Sequence, residues 1–91
     1  MSSAHIGIIE KLNRLAAETS RNVGIDVVRV LFIKEHGKRI LRVTINREGG
    51  VSLNDCETFS RAFSALLDEQ DIIDEHYYLE VESPGISMEN K

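Results

Sequence analysis

The stretch from Asp26 to Asn46 constrains the fold more than any other part of the chain. Val27, Val28, Val30, Leu31, Phe32 and Ile33 form a run of β-branched, aromatic and aliphatic residues with Arg29 as the only charge inside it. Glu35-His36-Gly37-Lys38 follows, and Gly37 supplies the backbone freedom of a tight turn. From Arg39 to Asn46, Leu41, Val43 and Ile45 alternate with Ile40, Arg42, Thr44 and Asn46, the period of a strand with one buried face. Two such strands across such a turn make a hairpin. The first is apolar on both faces, which favours a central place in the sheet and the strand order 2-1-3, although the residues alone leave that order open.

Helical periodicity flanks the hairpin on both sides. Ile9, Leu12, Leu15 or Ala16, Thr19 and Val23 fall on one stripe, predicting a helix from about Ala4 to Asn22. Ser2 or Ser3 is placed to cap its start, and Gly24 stands where a left-handed residue closes a helix. After the hairpin, Gly49-Gly50 breaks the strand. Ser52 then precedes a second stripe of Cys56, Phe59, Ser60, Phe63, Leu66 and Leu67. Asp55, three residues beyond Ser52, makes a variant of the capping box, and Asp55 and Glu57 put negative charge where the helix dipole favours it. This helix is expected to end near Asp68.

A third strand runs into an enforced turn. Tyr77, Leu79 and Val81 alternate with Tyr78, Glu80 and Glu82, then Pro84 removes a ladder donor and Gly85 suits a type II turn. The sheet is expected to stop there. Residues 1–85 therefore read as one domain and residues 86–91 as the stub of a linker. The order α-β-β-α-β predicts an α+β, two-layer sandwich with two helices packed on one face of a three-stranded sheet. A right-handed return through the second helix follows if the second and third strands run parallel. Nothing in the chain covers the other face, so Val27, Leu31 and Ile33, if they lie there, require a partner.

Charge is distributed unevenly along the chain. Residues 1–47 carry nine Lys/Arg against four Asp/Glu, whereas residues 48–91 carry two against eleven. Six cations, Arg29, Lys34, Lys38, Arg39, Arg42 and Arg47, fall on or beside the hairpin with Glu35 as the only acid among them. Such a cluster suits phosphates and salt-dependent binding. Phe32 is the only Phe, Tyr or Trp in the hairpin, which argues against stacking on single-stranded bases. The acidic residues Asp68, Glu69, Asp71, Asp74, Glu75, Glu80 and Glu82 suit a basic protein. Each set also has a plain reading, as charge that protects a sheet edge or keeps the surface soluble.

The residues argue against catalysis, a cofactor or a metal. Cys56 lies on an apolar stripe, and His5, His36 and His76 are scattered over a terminus, a turn and a connector without ligand spacing. Gly49-Gly50 before a helix lacks the further glycines or lysine of a phosphate cradle. A single cysteine fits a reducing compartment. No apolar run approaches the roughly 20 residues of a membrane span, and Met1 to His5 does not open a secretory signal. A cytoplasmic monomer away from membranes is the expectation.

Two motifs carry a resemblance. Gly49-Gly50-Val51-Ser52-Leu53-Asn54-Asp55-Cys56-Glu57, continuing into Ser60-Arg61 and Leu66-Leu67-Asp68, and the strand end Leu79-Glu80-Val81-Glu82-Ser83-Pro84-Gly85 are similar to the N-terminal domain of the RimP family of bacterial ribosome maturation factors. The resemblance covers most of residues 25–86. It implies an α/β domain followed in the family by a small C-terminal β-barrel. It also implies a non-catalytic role in maturation of the small ribosomal subunit, through ribosomal RNA, a basic ribosomal protein, or both. A KH-like RNA-binding module is the alternative by helix and strand order, although no Gly-x-x-Gly loop joins paired helices. A protein-only interaction domain is the other.

Overall fold

The computed structural model describes residues 3–84 and 86–89, and the side chains of residues 7–84. Six elements follow in order: α1 Ser3–Val23, β1 Asp26–Glu35, β2 Lys38–Asn46, α2 Leu53–Gln70, β3 Tyr78–Ser83 and β4 Ile86–Glu89. The α-β-β-α-β order is the expected one, with a short strand added at its end. Ser3, one of the two expected caps, is the first residue of α1, whereas Ser2 and the turn geometry at Gly85 lie outside the described residues.

Local chemistry explains the element boundaries. α1 ends where Gly24, at φ +73°, donates its N–H to Ser20 O at 2.8 Å. His36 and Gly37 both have positive φ, the requirement of a two-residue type I′ hairpin turn. Ser52 caps α2 in a full capping box: its Oγ accepts from Asp55 N at 3.0 Å, and its N–H donates to Asp55 Oδ2 at 3.0 Å. α2 runs two residues beyond the expected end at Asp68, closed by Asp71 in the left-handed region.

Both helices pack on the same face of the sheet. Leu12, Leu15 and Ala16 of α1, with Cys56, Phe59, Phe63 and Leu67 of α2, enclose Phe32, Leu41, Val43, Ile45 and Val81. Phe59 and Phe63 meet at 5.7 Å between ring centroids, one helical turn apart. Thr19 is fully buried within this layer and donates its hydroxyl to Leu15 O at 2.8 Å.

The strand order is β1-β2-β3-β4, not 2-1-3. β1 pairs only with β2, antiparallel, and β3 pairs parallel with the other side of β2. The central strand is therefore β2, whose Leu41, Val43 and Ile45 are wholly inaccessible. β1 takes the edge, and its second apolar row, Leu31 and Ile33, is only half-buried on the sheet face away from the helices. Val27 does not join that row. An irregularity between Val27 and Arg29 inserts Val28, 61% exposed, and turns Val27 toward the helix side, where it packs against the core. The sheet does not stop at Pro84 either: Ile86–Glu89, expected as linker, folds back antiparallel on β3 with Ser83 opposite Ile86. That pairing satisfies backbone groups which would otherwise line an open edge of β3.

Candidate functional site

The basic residues of the hairpin fall into three environments. Arg42 lies on the open sheet face, where the parallel register sets it beside Glu80. Its Nε donates to Glu80 Oε1 at 2.8 Å and its Nη2 to Glu35 Oε1 at 3.4 Å, and these carboxylates raise its pKa. Arg39 Nε reaches Glu75 Oε2 at 3.3 Å while its guanidinium lies 4.7 Å from the Phe32 ring centroid. Arg47, just past β2, donates from Nη1 to Asp55 Oδ1 at 2.7 Å, which ties the end of the strand to the capping box of α2. Lys38, at the turn, rests its ammonium 5.4 Å from the Tyr78 ring centroid. Arg29 and Lys34 are exposed along β1 and form no ion pair among the described residues.

The acidic set divides in the same way. Glu75 and Glu80 hold Arg39 and Arg42, and Glu82 Oε2 accepts from Thr44 Oγ1 at 3.1 Å. Asp68, Glu69, Asp71 and Asp74 are exposed at the end of α2 and in the connector, without an ion pair among the described residues. Positive and negative residues are therefore not segregated into two poles, as the division along the chain suggested. The parallel pairing of β2 with β3 lays Arg42 beside Glu80 and Thr44 beside Glu82, and the connector returns past the hairpin tip so that Glu75 meets Arg39. Among the described residues of these two sets, those without an ion pair are Arg29, Lys34 and Lys38 along the β1 edge and turn, Asp68, Glu69, Asp71 and Asp74 near the end of α2, and Glu82, which is held only by the neutral Thr44 hydroxyl.

The pattern of the RimP N-terminal domain family matches residues 15–87. The chain belongs to that family. RimP is a ribosome maturation factor, so the surface in question is that of a domain acting in ribosome biogenesis.

Other features of this RimP domain point to stability. Burial raises the pKa of the Cys56 thiol, and its exposure is nil, so it packs as a small apolar side chain. Asp55 is held below the ordinary carboxylate range, first by the Ser52 backbone N–H and also by the Ser52 hydroxyl and Arg47. Tyr77 is shifted upward by burial and by the nearby Asp68. No cluster of metal-ligating side chains exists among the described residues, and none of their helices is long and apolar enough to cross a membrane. A shallow groove of about 180 Å³ between α1 and the end of α2, lined by Lys11, Arg14, Leu15, Gln70 and Ile72, was not foreseen from the sequence. Its residues are 55 or more positions apart across the two helices, and only the fold brings them together.

Proposed function

We propose that this domain is a non-catalytic, cytoplasmic assembly factor that binds the maturing small ribosomal subunit. Its RNA contact is to the phosphate backbone, through Arg29, Lys34 and Lys38. The supporting observation is that these three are the hairpin cations without a carboxylate partner among the described residues, and they follow one edge and its turn. Arg39, Arg42 and Arg47 reach phosphate only by giving up Glu75, Glu80 and Asp55, so their contribution is smaller. A basic ribosomal protein is met by Asp68, Glu69, Asp71 and Asp74, with Glu75, Glu80 and Glu82 largely occupied within the chain.

Co-sedimentation with small-subunit particles over a salt series tests the ordering. Each phosphate contact adds roughly 0.7–0.9 to the slope of log affinity against log salt. Reversing Arg29, Lys34 and Lys38 together is expected to lower that slope by about 2. Reversing Arg39, Arg42 and Arg47 is expected to lower it less. Equal losses from the two triple variants, or none from the first, exclude this assignment of the RNA surface.

A further inference from the structure

The outer side of β1 offers a second kind of contact, made by the backbone of the same edge that carries Arg29 and Lys34, so its occupant and a phosphate backbone would compete for these two side chains. Strand order β1-β2-β3-β4 leaves that side without a partner among the described residues. Glu35 and Lys38 close the two-residue turn, so they exchange backbone hydrogen bonds with each other. Because such bonds alternate along an antiparallel strand, Glu35, Ile33 and Leu31 aim theirs at β2, while Lys34, Phe32 and Val30 aim their N–H and C=O groups outward. A strand docking on this edge must meet those three residues.

We propose that the occupant is β1 of a second copy of this chain, antiparallel and centred on Phe32. In that register Val30 exchanges hydrogen bonds with Lys34 of the other copy, and Phe32 with Phe32, clear of the irregularity between Val27 and Arg29. The open sheet faces of the two copies become continuous. On them Arg29 of each copy stands opposite Glu35 of the other, and Leu31 opposite Ile33. These are the non-hydrogen-bonded positions, where cross-strand side chains come closest. The neighbouring compatible registers lack this match. Centring on Leu31 sets Arg29 against Ile33, centring on Ile33 sets Leu31 against Glu35, and centring on Val30 runs through the irregularity. Only the Phe32-centred pairing brings opposite charges together twice and apolar neighbours together twice. Arg29 has no ion pair to surrender, and Glu35 has only a 3.4 Å contact with Arg42. The interface is that of a weak dimer, consistent with a monomer in dilute solution, since one edge-to-edge strand pair falls below the roughly 1,200 Å² of stable complexes.

Sedimentation equilibrium of the 91-residue chain from about 10 μM to about 1 mM in low salt tests the proposal. A reversible monomer–dimer equilibrium is expected. Arg29→Glu and Glu35→Arg are each expected to weaken it at least about tenfold by setting like charges opposite. An equimolar mixture of the two variants should then form a heterodimer, because both cross-pairs become Glu opposite Arg. Lys34→Pro removes an outward donor while leaving the β1–β2 ladder intact, and is expected to abolish association with an unchanged circular dichroism spectrum. A chain that stays monomeric to about 1 mM overturns the proposal and leaves the edge to a strand of another protein. Single variants that associate like the parent, or a mixture that fails to associate, overturn it as well.

Discussion

The two faces of the sheet should differ sharply in what they contribute to stability, and two leucines on adjacent strands measure the difference. Leu41 on β2 is wholly inaccessible and stands between Phe32 and Leu79 in the register, under both helices. Leu31 on β1 lies on the opposite face, beside Arg42, and is half-buried. Leu41→Ala leaves a cavity among close-packed neighbours, at a cost of about 3 kcal/mol. That is a large part of the roughly 5–14 kcal/mol expected for a domain of 91 residues. Leu31→Ala opens onto solvent and leaves no cavity, so only part of the transfer term is lost, about 1 kcal/mol or less. With a urea m-value of about 1–1.5 kcal/mol/M, the midpoint should fall by roughly 2–3 M for Leu41→Ala and by less than about 1 M for Leu31→Ala. The assay is urea unfolding followed by circular dichroism at about 5 μM, where a weak edge-to-edge dimer is dissociated. Equal falls for the two variants would refute a sheet covered on one side only, and would mean that something shields Leu31 in solution.

Three further outcomes follow from the polar contacts and the thiol. Asp55 has a depressed folded-state pKa, so the unfolded chain binds its proton more readily; its stabilising effect is complete above the ordinary aspartate value of about 3.8 and is lost as pH falls through the folded value. Asp55→Asn should therefore flatten the acid limb of melting temperature against pH below about pH 5. A double-mutant cycle on Arg42 and Glu80, whose side chains are 24% and 18% exposed, should give a coupling of about 1 kcal/mol, whereas the exposed Arg61–Glu57 pair should give close to none. Cys56 should resist a thiol reagent at pH 8 in the native state and label at the rate of unfolding, because burial both shields the sulfur and disfavours its thiolate.

Much of this architecture was legible in local chemistry. The Ser52–Asp55 capping box, the turn at His36-Gly37 and the stripe from Cys56 to Leu67 each depend on residues within a few turns of one another, and each appears where its spacing puts it. The placement of β1 was not legible. A strand apolar on both faces looks like a central one, but the hairpin and the parallel return of β3 together assign the centre to β2. Val28 shows a second limit, because one inserted residue reverses which face Val27 occupies while leaving the composition of the strand unchanged. For the candidate surface, the cations and acids were visible as types and positions. Their neutralisation was not, since Arg42 with Glu80 and Arg39 with Glu75 are separated by 38 and 36 residues. Ile86–Glu89 was missed because Pro84-Gly85 marks an end and a reversal with the same residues.

The parallel contact between β2 and β3 has a consequence for the nascent chain. At roughly 5–20 residues per second, several seconds separate the completion of the hairpin from the arrival of its third strand. Throughout that interval the inner flank of β2, with Leu41, Val43 and Ile45 beside it, has no ladder partner. The strand most protected in the finished domain is thus, during synthesis, as open on one side as the edge strand β1. The helices cover the face that carries Leu41, Val43 and Ile45, but only β3 can supply the missing ladder.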